Sequence, residues 1–243
     1  MHRFFVNIKD ISDGKVIFTD SRVHQIRNVL RMKTGEKVIV LDNTGLEYLV
    51  TLTSITKKEV IGAITQKKQC QGEPRTKITL YQSLLAREKF EFVLQKCTET
   101  GVVSFVPVIT ERSIVKNPGK ITTEKLSRYE NIISEAAEQS HRGIIPALRS
   151  PVNFVQAVSE LGNYDVSLVG STGECLSLKK ILQEYKTIFE KLALFIGPEG
   201  GFSEKELEVL VSRGAKPFNL GKRVLRTETA AICIPAIILY ELG

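Results

Sequence analysis

The sequence predicts an α/β chain in two parts: a small β-barrel module with one basic helix over residues 1–70, and an α/β domain with a mostly parallel sheet over 78–243. Three observations predict it. The first 70 residues hold strand-length runs of Val, Ile, Phe and Thr, separated by turn residues. Residues 67–77 (KKQCQGEPRTK) are polar and contain both Gly72 and Pro74, which places a linker at 71–77. Beyond it, strand-like and helix-like runs alternate, the pattern of a mostly parallel sheet covered on both faces. A length of 243 residues suits one large domain or two modest ones.

Taken in order, residues 3–8, 15–19, 37–41, 48–55 and 60–65 read as strands. Asp13-Gly14 and Asn43-Thr44-Gly45 supply turn chemistry between them. One helical pattern interrupts the strands, 22–32, with Val23, Ile26, Val29 and Leu30 on one face. Ser21 or Asp20 can cap it, and Gly35 lies just past its end. Arg22, Arg27 and Arg31 occupy the other face and Lys33 follows. After the linker, strands are predicted at 78–84, 102–109, 166–169, 192–196 and 217–220. Helices are predicted at 87–100, 123–139, 152–161, 177–186, 204–213 and 229–242. Ligands on such sheets bind beyond the carboxyl ends of the strands.

Composition narrows the function classes. Apolar residues make up 42% and charged residues 25%, which excludes a disordered or collagen-like chain. The formal net charge of +7 fits a polyanionic partner and a solvated surface equally well. The apolar stretch 230–240 contains Pro235 and falls short of the ~20 residues a membrane helix needs, so it reads as a buried helix. The opening MHRFFVNIKD has no apolar core long enough for a secretory signal. Cys70, Cys97, Cys175 and Cys233 show no zinc spacing, and read as reduced, packed thiols of a cytosolic protein. With three histidines and no His/Cys/Asp cluster, neither a metal site nor a membrane partner is expected.

Two loops carry the strongest signals. In LFIGPEGGFS (194–203) a buried strand ends at Ile196, glycines crowd the turn, and Ser203 can cap a helix starting at Glu204. Gly197, Gly200 and Gly201 let backbone amides approach a ligand; a tight strand-to-helix turn with no ligand is the alternative reading of the pattern alone. The dinucleotide pattern G-x-G-x-x-G does not fit this run. The phosphate loop fails as well, because Gly214 and Gly221 are seven apart and Arg223 follows Lys222. Gly170-Ser171-Thr172-Gly173 is one residue short of a serine-hydrolase elbow. The second loop, NLGKRVLRTETAA (219–231), places Arg226, Thr227, Glu228 and Thr229 at the start of the C-terminal helix, where Thr227 or Thr229 can cap. A helix N-terminus favours Glu228 but disfavours Arg226, so Arg226 needs either Glu228 or a ligand. Glu135-Ala-Ala-Glu-Gln-Ser-His-Arg142 reads as a helix end, with Glu138 and Arg142 one turn apart. Arg112, in Thr110-Glu111-Arg112-Ser113, falls at a strand's carboxyl end.

Together, GPEGGFS (197–203) and LGKRVLRTETA (220–230) resemble the SPOUT methyltransferases, and most closely the bacterial 16S ribosomal RNA uridine-N3 methyltransferase family. HRFF (2–5), VLRMKTG (29–35), KCTETGV (96–102), ERS (111–113) and EAAEQSHR (135–142) resemble the same family in order along both halves. The resemblance departs at Thr100, where the family pattern has Leu. It implies an N-terminal PUA-like RNA-binding β-barrel, a SPOUT α/β domain with a C-terminal trefoil knot, and S-adenosylmethionine as methyl donor. The implied partners are small-subunit ribosomal RNA or the 30S particle and a second copy of the chain, in the cytoplasm. A knot runs against the rule that connections do not thread, and rests on the resemblance alone.

Methylation at uridine N3 needs an unpaired base, removal of the imide proton and stabilisation of the uracil anion. Arg226 is the candidate for stabilising charge on the uracil carbonyl oxygens. Glu138 or Glu228 is the candidate proton acceptor, and Arg112 is placed to hold a phosphate or the base. His141 reads as a surface helix-end histidine. The resemblance places the donor against Val169, Gly170, Ile196, Gly197, Glu199, Gly200, Leu220, Gly221, Val224, Leu225, Thr227 and Ala230. Leu220, Val224 and Leu225 would wall the adenine, and Gly197 and Gly221 would give room. Arg3, Arg22, Arg27, Arg31, Lys33 and Arg142 are the candidate RNA contacts. A SPOUT ribose methyltransferase and a non-catalytic RNA-binding assembly factor are the rival readings.

Overall fold

The computed structural model of the chain describes residues 1–116, 121–185 and 189–242. The chain divides into two compact units, residues 1–73 with 137–145, and residues 74–136 with the remainder from 146 onward.

In the first unit a six-stranded sheet runs in the order Arg3–Phe5, Lys37–Leu41, Leu46–Ile55, Val60–Gln69, Lys15–Phe18, Ile11–Ser12. The Arg3–Phe5 pairing is parallel and the others antiparallel. Among the described residues no pairing joins the two outer strands, so the expected barrel is not a closed ladder. The Ser12–Lys15 hairpin turns through Asp13 and Gly14, both at positive φ, which matches the strands' twist. Period-two burial in Lys37–Leu41 sends Val38 and Val40 into a core with Phe4, Phe18, Val50 and Leu52.

The basic helix is shorter than the sequence predicts. An α-helical turn at Asp20–His24 widens into a π-type turn at Gln25–Val29, where the Leu30 N–H donates to the Gln25 carbonyl. Val23 and Ile26 remain in the core, but the wider turn shifts the phase and leaves Val29 62% exposed. Arg31, expected inside the helix, lies past its end at φ 53°.

Residues 137–145, which the sequence pattern assigns to the second domain, belong to the first unit. The Glu73 carboxylate accepts hydrogen bonds from the Arg142 guanidinium (2.7 Å) and from the N–H groups of Gly143 and Ile144. These bonds hold its pKa below the ordinary value against the opposing effect of burial. Asn43 accepts from the Ile145 N–H, and Ala137 packs on Phe5 and Leu41.

The second unit holds an eight-stranded sheet in which every pairing is parallel. Its main path runs Val152–Asn153, Ser104–Ile109, Lys77–Ser83, Lys191–Ile196, Val166–Gly170, Lys216–Asn219, Leu176–Ser177. The strand Lys191–Ile196 therefore lies between Lys77–Ser83 and Val166–Gly170. The two-residue strands, including Ala147–Leu148, carry too little pattern to be read from sequence. Tyr81 stacks on Phe195 at 4.4 Å within a core of Val106, Val108, Val158, Val169 and Leu210.

The helices Arg87–Thr100 and Thr123–Gln139 have the predicted bounds; Phe154–Ser159 and Glu204–Ser212 come out shorter. Residue 186, the last of the predicted 177–186 helix, lies outside the described residues, and the helix spans Leu178–Glu184. Thr100 ends its helix with its hydroxyl on the Cys97 carbonyl.

The apolar C-terminal run is a helix, Thr227–Leu242, that continues through Pro235. Proline has no N–H, so the Ala231 carbonyl one turn earlier loses its usual donor. The buried Cys97 thiol donates to that carbonyl at 3.1 Å. No helix among the described residues is long and apolar enough to cross a membrane.

Glu91, on Arg87–Thr100, accepts from Arg128 on Thr123–Gln139 at 2.7 and 2.9 Å and from Arg87 at 2.9 Å. The Arg128 guanidinium above all pulls the Glu91 carboxyl from 4.5 to about 2. A depressed folded pKa gives stability that is present above the unfolded value and lost as pH falls through the folded one. The wild-type thermal midpoint should therefore decline between pH 4.5 and about 2. Glu91→Gln should be less stable at neutral pH and should show a flatter profile across that window. Parallel profiles for the two proteins would show that this carboxylate does not contribute.

Candidate active site

Three loops leave the carboxyl edge of the parallel sheet side by side: the one after Gly170, the one after Ile196 and the one after Asn219. Between them lies a cleft of about 920 Å³.

The local sequence explains the loop geometry. Ser203 and Glu206 form a capping box at the head of Glu204–Ser212: the Ser203 hydroxyl accepts from the Glu206 N–H, and the Glu206 carboxylate accepts from the Ser203 N–H. The second Glu206 oxygen accepts from the Glu111 N–H at 2.8 Å, tying the loop after Ser104–Ile109 to the same corner. Gly197 sits against the returning backbone: a Cβ there would lie 3.0 Å from the Phe202 nitrogen and 3.1 Å from the Gly201 carbonyl carbon.

The two glycine-bearing loops meet directly. The Thr227 hydroxyl donates to the Gly197 carbonyl at 2.6 Å, so it holds the neighbouring turn and does not cap its own helix. The Arg226 carbonyl accepts the Ala230 N–H, which places Arg226 immediately before the first helical turn. Arg226 is exposed in the cleft wall, and its guanidinium has no hydrogen-bond partner among the described residues. Glu228 also lines the cleft; its Oε2 is buried and accepts no hydrogen bond from the described residues.

Of the residues expected to hold a ligand, Gly170, Ile196, Gly197, Glu199, Leu220, Gly221, Val224, Leu225, Thr227 and Ala230 line this cleft. Val169 does not; it is fully buried in the sheet core. Gly200 does not either, and packs on the side chain of Arg112. The Arg112 guanidinium donates to the Gly200 carbonyl at 2.7 Å, bracing the glycine loop, although the sequence reading gave it a phosphate or the base to hold.

Glu138 belongs to the first unit. Its carboxylate accepts from Arg22 at 2.5 Å and from the Phe5 N–H at 2.9 Å, so it is committed to holding the first strand and the basic helix. This corrects its place as a proton acceptor. Three expected RNA contacts are likewise paired within the first unit: Arg3 with Glu47 at 2.6 Å, the half-buried Arg22 with Glu138, and the buried Arg142 with Glu73. The reason is common to all three, since a guanidinium taken from water needs a carboxylate. Arg27, Arg31 and Lys33 are exposed, as is His141.

The sequence reading missed two parts of the cleft wall and one buried residue beneath it. Lys89 lines it from the helix Arg87–Thr100, with Nζ 2.9 Å from Glu199 and 4.0 Å from Glu228. This ion pair raises the Lys89 pKa and lowers that of Glu199. A lysine on an amphipathic helix carries no signal that could have marked it. Ser171 to Cys175 form another wall, held by Asn219, whose amide donates to the Cys175 carbonyl. Gln82, buried beneath the two loops, stood out as a polar residue in the apolar run ITLYQSLL.

A family profile described as an RNA methyltransferase domain matches residues 72–239, and an RNA methyltransferase PUA domain matches 18–65. This chain belongs to the RNA methyltransferase family. Within that family, the chain is 31% identical to the ribosomal RNA small subunit methyltransferase E of Bacillus subtilis, covering 99% of this chain and 97% of that one. It is 33% identical to the protein of the same name from Mesomycoplasma hyopneumoniae, covering 96% of each. Among solved structures, the Neisseria gonorrhoeae ribosomal RNA small subunit methyltransferase E bound to S-adenosyl methionine superposes with a TM-score of 0.89 at 29% identity, covering 99% of this chain and 97% of that one. A Legionella pneumophila putative methyltransferase in complex with the same cofactor gives 0.88 at 32%, covering 98% and 96%. In this RNA methyltransferase the two loops that carry the resemblance thus form two of the three sides of the cleft, and the loop after Gly170 forms the third.

Proposed function

We propose that this RNA methyltransferase transfers a methyl group from S-adenosylmethionine to N3 of a uridine in small-subunit (16S) ribosomal RNA. It would act in the cytoplasm as a homodimer, with the loops of the cleft threaded as a trefoil knot. The observation that carries the reading is the Thr227–Gly197 hydrogen bond, which joins the two loops at one cleft with Arg226 in its wall. The names of the relatives and the cofactor in their structures support the donor and the RNA class.

The residues present fit such a donor. The cleft volume suits a nucleoside-sized ligand. Gly170, Gly197 and Gly221 expose backbone, Leu220, Val224 and Leu225 supply apolar wall, and Glu228 adds a carboxylate to the lining. When bound, the donor supplies a methyl group activated by a positively charged sulfur. The protein's own groups have three tasks. The loops hold the reactants in line, an effect worth roughly 7–11 kcal/mol in favourable cases. Arg226, without a hydrogen-bond partner among the described residues, stabilises the negative charge that develops on the uracil carbonyl oxygens. Glu228 takes the N3 proton. On the first unit, Arg27, Arg31 and Lys33 contact phosphates, each steepening the log–log salt dependence of RNA affinity by about 0.7–0.9.

The test is transfer of labelled methyl groups from the donor to small-subunit RNA and to 30S particles, followed by nuclease digestion and mass analysis. A methylated uracil N3 is the expected product. Methylation on the ribose would reject the base assignment, and absence of donor binding by calorimetry would reject the enzymatic reading.

A further inference from the structure

Gln82 lies near the end of the strand Lys77–Ser83, in register with Ile196, and is 1% exposed. Its amide Nε2 is surrounded by three oxygens: the Ser83 carbonyl at 3.0 Å, the Thr227 hydroxyl at 3.3 Å and the Ile196 carbonyl at 3.4 Å. Thr227 has already given its one proton to the Gly197 carbonyl, so toward Gln82 it accepts. This fixes the amide orientation, because the flipped form would set oxygen against three oxygens.

The fixed orientation leaves the Gln82 Oε1 buried with no hydrogen-bond partner among the described residues. A buried acceptor without a donor is destabilising, and an apolar side chain of the same length would avoid it. Departures of this kind from the rules of core packing concentrate at functional sites. Gln82 also ties together segments far apart in sequence: a central strand, the end of Lys191–Ile196, and the head of the C-terminal helix.

We propose that Gln82 is a positioning residue for the methyl-donor cleft. Through the relay Gln82 Nε2–H to Thr227 Oγ1–H to the Gly197 carbonyl, it sets the spacing between the glycine turn and the loop that carries Arg226 and Glu228. The inference rests on the donor assignment above. It predicts that Gln82 acts on donor binding only while Thr227 retains its hydroxyl.

The experiment uses the full-length protein and four variants: Gln82→Met, Thr227→Val, Thr227→Ser and the double variant Gln82→Met with Thr227→Val. Donor Kd is read by calorimetry with S-adenosylmethionine, alongside donor KM, kcat and RNA affinity. Gln82→Met and Thr227→Val should each weaken donor binding by up to about tenfold, the loss expected for one hydrogen bond. Their RNA affinity should stay unchanged, and Thr227→Ser should bind like the wild type. The double variant should bind no worse than the weaker single variant, since both break one relay. Losses that multiply in the double variant, or a Gln82→Met that binds the donor as the wild type does, would overturn the proposal. So would a Gln82→Met that is destabilised with donor and RNA binding falling together, which is a structural role. A wild-type protein that binds no donor sinks the assignment of the cleft itself, an outcome distinct from all of these.

Discussion

Arg226→Ala should lower the rate of methyl transfer by about 10²- to 10³-fold, the range seen when one charge-stabilising donor is removed from an active site. Three features make this the largest expected effect. Arg226 lines the cleft, carries a permanent charge, and has no internal partner among the described residues. It also stands at a helix N-terminus, where a cation is locally unfavourable. That position becomes favourable only when negative charge arises opposite it. Because the side chain is exposed, the melting temperature should hold. Donor Kd should stay within a few-fold, with the loss falling in kcat. Single-turnover transfer from labelled donor checks this, and activity within a few-fold of wild type would remove Arg226 from the role.

Gly197→Ala should weaken donor binding by at least about tenfold and slow transfer in proportion. The added methyl would sit 3.0 Å from the Phe202 nitrogen and 3.2 Å from the Gly201 Cα. Those atoms are backbone and cannot rotate away, so the turn itself must move, at a cost of roughly 1–3 kcal/mol. Moving it stretches the 2.6 Å bond from Thr227 and opens the joint between the two loops. Gly200→Ala is the control. The nearest atom to its added methyl is the Arg112 Cδ at 3.3 Å, on a side chain that can yield, so donor Kd should change by no more than about threefold. Equal effects from the two alanines would show that the close backbone approach at Gly197 is not what shapes the cleft.

Much of this was legible in the sequence wherever the signal was local. The helices Arg87–Thr100 and Thr123–Gln139 follow from apolar spacing, and the Ser203–Glu206 capping box from a cap residue with Glu three positions on. The GPEGG and LRTETA runs marked the cleft because glycines and a charged helix head are unusual in chain order alone. Where the sequence reading failed, the deciding partner was remote. Glu138 and Arg142 lie one helical turn apart and suggested a solvated helix end. Their carboxylate and guanidinium instead pair with Arg22 and Glu73, more than 60 residues away. Val29 left the core because one widened turn altered the helix phase, a change no apolar count reveals.

The amino-acid order by itself determined the alternation of strands and helices, the change of rhythm across residues 71–77, the two glycine-bearing loops and the family to which they belong. Only the tertiary structure decided which charges face solvent and which are spent inside, that Lys89 shares the cleft with Glu199, and that Gln82 and Thr227 bind the two loops together. The division is physical. Backbone preference and hydrophobic period act over a few residues and are written locally. A buried charge or amide takes its role from whichever partner the fold brings within about 3 Å, and that partner's place in the chain is unconstrained.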